Sequence, residues 1–191
     1  IVVGKGNAAL CSALSAHENG AKVLMLEAAS EEESGGNSRF AGGVMRFAYE
    51  TVEDLRRVTD ITDEEVAKAE FDTNSQDQFY DTMYNLTAFR TDPDLCETLV
   101  TQSLDVMTWL RAKGAKLVLN YGRQAGLVNG KYKFFGNMPI EANGGGAGLV
   151  ENLDKAIKKA GIPVSFNTRA VSLISAGVRV QAVRAQKDGK L

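Results

Sequence analysis

The feature that most limits what this chain can fold into stands at its very start. Gly4-x-Gly6-x-x-Ala9 lies between a short apolar run, Ile1-Val2-Val3, and an Ala- and Leu-rich segment from Asn7 to about Asn19 that Gly20 closes. A strand that must turn at once into a helix needs a residue free to adopt positive φ, which Gly4 supplies. It also needs small residues where helix and strand approach, which Ala9 supplies. Lys22 to Glu27 reads as a second strand. Strand, helix and strand in this order are the parts of a right-handed βαβ unit with parallel strands. The predicted class is therefore α/β.

The same turn carries chemistry. A helix that begins on glycine exposes unpaired N–H groups and the positive end of its dipole, and Gly6 lets backbone approach a diphosphate. Glu27 follows Gly4 by 23 positions, close to the ~20 at which an acid meets a ribose diol. This fingerprint serves NAD and FAD alike. The glycine-dense stretch Gly35-Gly36-Asn37-Ser38, so soon after the acid, favours FAD, because it would bring backbone close to a second part of the cofactor. Its plain alternative is an ordinary flexible linker, since glycine with Asn and Ser is also linker composition.

The rest of the chain sets bounds. With 191 residues, 44% of them hydrophobic, and a formal charge of −2, it has the content of one globular domain and no basic stripe for nucleic acid. Cys11 and Cys96 are far apart, with no C-x-x-C pair, which argues against disulfides and zinc and fits a reducing cytoplasm. No apolar run approaches the ~18 to 20 residues of a membrane span. Ile1 already stands inside a strand, so the chain reads as a fragment. Gly35 to Gly43 reads as a functional loop. Glu64 to Glu70 and Gln76 to Phe89 read as helices, the latter with Phe79, Met83, Leu86 and Phe89 as core positions. A helix capped by Asp92 with Pro93 next carries Leu95, Leu99, Val106 and Leu110 as its apolar stripe. Lys116 to Leu119 is a strand, and Asn129-Gly130 makes a hairpin turn. Gly144 to Gly148 precedes a helix from about Leu149 to Ala160. Strands follow near 164–166, 170–174 and 178–185.

Val2 to Leu10, Gly20 to Ala28 and Gly35 to Gly43 together resemble the N-terminal half of the fumarate reductase/succinate dehydrogenase flavoprotein superfamily. Within it, the likeness is greatest to FAD-dependent tricarballylate dehydrogenases. It continues through Trp109 to Ala115, the Gly144 to Gly148 loop and Asn167 to Val171. The resemblance implies a Rossmann-like FAD-binding domain with a mainly parallel sheet, a helical insertion and a small β-meander. The whole of 1–191 would be that domain: sheet from about 1–48 and 143–191, a mostly helical excursion over 49–118, and a hairpin region at 119–142. By the same resemblance Gly4 and Gly6 face the pyrophosphate, Glu27 the adenosine ribose, and Asn37 and Ser38 the pyrophosphate–ribityl side. Gly42 and Gly43 lie beside the isoalloxazine, the main chain of Val171 meets adenine, and Asn7, Ala8, Ala28 and Gly36 complete the set.

FAD is expected to be non-covalent, because Gly35 to Ala41 contains no histidine. The substrate implied is a small di- or tricarboxylate; the electron acceptor is not legible. A capping domain, a proton-shuttling Arg and the substrate ligands are expected beyond Leu191, so no catalytic residue and no metal ligand is assigned here. Arg39, Arg46 and Arg123 are not assigned the proton-shuttle role; Arg39 and Arg46 read as solvated or cofactor-side charges, the alternative being contact with substrate carboxylates. His17 sits in the last turn of the first helix, where an imidazolium suits the dipole. Another member of the superfamily (of fumarate reductase, aspartate oxidase or ketosteroid dehydrogenase type), an NAD-dependent dehydrogenase and a non-catalytic cofactor-binding fragment stay open as alternatives.

Overall fold

The computed structural model describes residues 1–190. Along the chain come β1 (Val2–Val3), α1 (Asn7–Glu18), β2 (Met25–Leu26), a 3-10 turn (Gly36–Phe40) and β3 (Val44–Met45). Then follow α2 (Val52–Val58), α3 (Asp63–Lys68), β4 (Ala69–Glu70), α4 (Gln76–Leu86), α5 (Pro93–Ala112) and β5 (Leu117–Leu119). Next are α6 (Tyr121–Gln124), β6 (Ala125–Val128), β7 (Lys131–Phe134) and β8 (Ile140–Ala142). The chain ends in α7 (Gly145–Lys159), β9 (Val164–Ser165), β10 (Thr168–Ala176) and β11 (Arg179–Lys187). These form two compact units, one from Ile1–Ala41 with Gly146 onward, the other from Gly42–Gly145.

The first unit is the predicted α/β layer. Its sheet runs β1-β2-β9, all parallel, with Val2 opposite Met25 and Met25 opposite Val164. Leu10, Ala13 and Leu14 of α1, Met25 of β2, and Leu149, Leu153 and Ile157 of α7 are buried. On both helices these residues recur every three or four positions, which puts them on one face. Of the stretch read as a small meander, β9 joins the parallel sheet, whereas β10 and β11 pair with each other as an antiparallel hairpin.

The second unit holds two three-stranded sheets, β3-β8-β5 and β4-β7-β6, together with α2 to α6. Helix starts are specified locally. Thr51 with Asp54, Thr62 with Glu65 and Ser75 with Gln78 form reciprocal capping boxes, and the Asp92 carboxylate accepts from Leu95 N ahead of Pro93. The β6–β7 hairpin turns on Asn129 and Gly130, both at positive φ (51° and 79°). Ala48, Phe79, Cys96 and Val100 form a buried cluster, with Tyr80 and Met83 packed against it.

Several expectations need correction. α4 stops at Leu86, so Leu86 and Phe89 are 77% and 76% exposed rather than core. Ala88 and Phe89 take positive φ and end the helix, and the Phe89 ring stacks on Tyr84 at 5.8 Å. On α5 the buried face is Cys96, Val100, Ser103, Met107 and Leu110, while Leu95 is 70% exposed and Leu99 and Val106 face solvent. Two apolar stripes compete on this helix, and the one with smaller side chains is buried. It also carries Ser103, whose hydroxyl accepts from the buried Ala48 amide at 2.8 Å. Gly36 to Phe40 is a 3-10 turn, not an open loop. α7 begins at Gly145, four residues earlier than expected, and β3, β4, α6 and β8 were not anticipated from the pattern.

Candidate functional site

Gly4, Gly6, Asn7 and Ala8 stand where β1 turns into α1, and the 3-10 turn bearing Gly36, Asn37 and Ser38 meets them there. Gly4 holds φ at +99°, and its amide donates to Leu26 O of β2 at 2.7 Å. A β-carbon there would lie 3.8 Å from that of Ala9, so strand and helix approach as the motif demands. Gly6 is the N-cap of α1 with extended backbone (φ −74°, ψ 176°) and no side chain to satisfy the first turn. The Asn7 amide instead donates to the Ser38 hydroxyl at 3.0 Å. A β-carbon on Gly6 would come within 3.3 Å of that hydroxyl and 3.5 Å of Gly35 O. The glycine turn, the start of α1 and the 3-10 turn bearing Gly36, Asn37 and Ser38 thus converge on one helix N-terminus, with Ala8 and Asn37 exposed beside it.

Glu27 closes β2 with its side chain buried (9% exposed). Its backbone is tied on both sides, since Glu27 N donates to Ser165 O (2.9 Å) and Thr168 N donates to Glu27 O (2.8 Å). One carboxylate oxygen, Oε1, accepts from Ala29 N at 2.8 Å, which orients the group next to the exposed Ala28. Val171 sits on β10 at a register shift: Ala170 pairs with Ala185 and Ser172 with Arg184. It is the extra residue of a β-bulge, whose main chain is released from the ladder. Gly42 and Gly43 belong to the second unit. There Arg123 donates to Gly42 O at 3.0 Å, and Ala142 N donates to Gly43 O at 2.8 Å.

The arginines are engaged with main chain. Arg39 donates to the carbonyls of Glu32 and Ser34, and Arg46 donates to Gly136 O at 3.1 Å. Cys11 is half-buried; its thiol donates to Asn7 Oδ1 at 3.4 Å, and burial pushes its pKa up to about 11. That thiol stays protonated and unreactive near neutral pH. His17 is exposed in the last turn of α1. Among the described residues no His, Cys, Asp or Glu cluster can hold a metal, and no helix is long and apolar enough to cross a membrane.

One group escaped sequence reasoning. Lys5, between the two glycines, is 3% exposed and pairs with Asp154 of α7 at 2.6 Å. Its ammonium also donates to Ser34 Oγ (3.4 Å) and lies 5.6 Å from the centre of the Phe166 ring. Burial alone would raise the Asp154 carboxyl, but hydrogen bonds and charge from Lys5 and Lys158 outweigh it and hold that carboxyl below the usual range. A lysine in a tight turn ordinarily reads as solvated, and its partner lies too far along the chain to be read as one.

The chain is 30% identical over 175 residues to the fumarate reductase (cytochrome) of Shewanella frigidimarina, covering 91% of the chain and 27% of that protein. It is 26% identical over 190 residues to the NADH:fumarate oxidoreductase of Klebsiella pneumoniae, covering the whole chain and 18% of that protein. It therefore spans about a quarter or less of the curated relatives it matches. Among solved structures, the open conformation of a flavocytochrome c3 fumarate reductase matches with a TM-score of 0.63 and 26% identity over 93% of this chain and 28% of that one. A 3-ketosteroid-Δ4-(5α)-dehydrogenase from Rhodococcus jostii RHA1 shares the fold, with a TM-score of 0.69 at 20% identity, covering 99% of this chain and 42% of that one. The family model described as the FAD binding domain matches residues 1–191. From the glycine turn to the last described strand, the chain belongs to the FAD binding domain family, and its cofactor is FAD.

Proposed function

We propose that the chain is the FAD-holding part of an oxidoreductase that moves hydride between flavin and a carbon–carbon bond of a di- or tricarboxylate, tricarballylate being the first candidate. The single observation that carries the cofactor half of this reading is the α1 N-terminus: it starts on Gly6, has no capping side chain, and faces the Ser38 hydroxyl. Such an end suits a diphosphate, with Gly4 and Gly6 giving backbone access and the dipole favouring negative charge. Ala8 supplies a first-turn amide, Asn7 links the turn to Ser38 through its own amide, and Gly36, Asn37 and Ser38 extend the cradle. Glu27 keeps Oε2 for the ribose diol while Ala29 N holds Oε1, with Ala28 alongside. The bulge at Val171 offers main-chain groups to adenine. Gly42 and Gly43 are assigned to the isoalloxazine on the family resemblance.

FAD, when bound, supplies two-electron chemistry at N5. The chain's own part is to bind and orient the cofactor. The carboxylate half of the proposal rests on relatives whose names specify fumarate. Arg39, Arg46 and Arg123 already donate to backbone carbonyls, which supports leaving proton transfer to residues outside this chain. Anaerobic stopped-flow of the complete protein tests the substrate: tricarballylate should bleach the oxidised flavin, or fumarate should reoxidise the reduced form, rapidly and saturably. A flavin indifferent to tricarballylate, succinate and fumarate alike would refute the carboxylate assignment.

A further inference from the structure

The glycines that let backbone approach a ligand also leave a turn without side chains to hold its shape, and glycine loses more conformational freedom on ordering than any other residue. Lys5 is the one residue of Gly4-Lys5-Gly6 with a side chain, and that side chain is buried. Its ammonium has three partners in three other segments: Asp154 of α7 at 2.6 Å, Ser34 at 3.4 Å in the loop before the 3-10 turn, and the Phe166 ring just after β9. Two of these are themselves anchored. Asp154 also takes Lys158 at 3.1 Å, and Lys158 reaches Glu31 at 2.9 Å, while the Ser34 hydroxyl donates to Glu31 O at 2.7 Å. A charge this deeply buried persists only when paired, so the lysine has little freedom to leave Asp154.

We propose that Lys5 is a positioning residue for FAD: through Asp154 and Ser34 its ammonium pins the glycine turn to α7 and to the Glu31–Ser34 loop. The turn, the α1 N-terminus and Ser38 are thereby held in receiving geometry before the diphosphate arrives. The ammonium is spent on Asp154, so Lys5 acts through the backbone it fixes and not as a cation on the phosphates. The inference rests on the glycine turn being the pyrophosphate cradle.

The test is FAD affinity of the apo-protein by flavin fluorescence, measured well below the melting temperature of each variant, with folding checked by circular dichroism. Lys5→Met and Asp154→Asn should each weaken FAD by about tenfold, the scale of ordering one or two side chains on binding. The double variant should be no weaker than the worse single, because both remove one contact. A purely structural role would lower the melting temperature and leave the affinity of the folded variants unchanged, which would overturn the inference. A direct charge on the diphosphate would make Asp154→Asn bind as well as or better than the parent, and that too would overturn it. Gly6→Val separates the underlying reading: if it binds FAD normally, the cradle and the role of Lys5 fall together. If Gly6→Val loses FAD but Lys5→Met does not, only the role of Lys5 falls.

Discussion

Two carboxylates carry the residue-scale expectations. Glu27 is held by Ala29 N through one oxygen, so Glu27→Ala should leave the fold largely intact and take away the acceptor for the ribose hydroxyls. Hydrogen bonds to charged groups are worth ~1.5–3 kcal/mol, so FAD affinity should fall roughly ten- to a hundredfold in a fluorescence titration. A folded Glu27→Ala variant with parental affinity would remove Glu27 from the site. Asp154 has a pH signature. Its carboxyl is held below the ordinary value in the folded chain, so its contribution to stability is complete above the unfolded-state pKa, ~3.9, and is lost as pH falls through the lower folded value. Urea midpoints should therefore drop steeply below about pH 4. Asp154→Asn should flatten that drop. Near pH 7 the variant should lose about 3 kcal/mol, the low end for breaking a buried pair, because Asp154 keeps 15% exposure.

At the scale of elements, the start of α7 makes the sharpest prediction. A β-carbon on Gly146 would overlap the carbonyl oxygen of Ser38 and come within 2.8 Å of Ala41 O, while Gly146 N donates to that same Ala41 oxygen at 2.9 Å. The obstacles are backbone atoms, so the helix or the 3-10 turn must move. Gly146→Ala should cost roughly 1–3 kcal/mol, as overpacking does, and should weaken FAD because it displaces Ser38. A melting temperature and FAD affinity equal to the parent would contradict the packing described. The face of α5 is equally checkable. Val100 is fully buried and Leu95 mostly exposed, so Val100→Ala should lose about 2 kcal/mol by cavity formation. Leu95→Ala should stay within ~0.5 kcal/mol. The reverse order would mean that the stripe expected from the pattern is the buried one after all.

At the scale of the whole molecule, how the flavin is held and what residues 1–191 do by themselves can both be tested. The stretch Gly35 to Ala41 contains no histidine, and His17 stands exposed at the end of α1, so acid precipitation should leave the yellow chromophore in the supernatant. Flavin retained in the pellet would contradict a non-covalent site. Residues 1–191 on their own should not turn over tricarballylate, succinate or fumarate even with FAD bound. Holding a substrate near-attack accounts for ~7–11 kcal/mol of barrier lowering, and a positioned proton donor contributes ~10²- to 10⁴-fold. Rapid, saturable flavin bleaching by the 191-residue chain would show that it contains the catalytic groups.

Local rules were enough wherever the deciding atoms lie within a few residues. The βαβ start, the positive φ of Gly4, the caps at Asp92 and Pro93, and the Asn129-Gly130 turn all follow from neighbours that see one another at any stage of folding. The family resemblance and the FAD cofactor were legible for the same reason, since the Gly35-Gly36-Asn37-Ser38 stretch and the other runs that carry the resemblance are each short and contiguous. Tertiary structure decided what depends on partners distant in sequence. It chose which of two apolar stripes α5 buries, because burial is set by the element that packs there and not by side-chain size alone. It drew the Gly145–Gly148 run into a helix, where only glycine at position 146 permits the approach to Ser38 and Ala41. It also buried Lys5, whose desolvation is tolerable only because Asp154, from the far part of the chain, meets it at 2.6 Å.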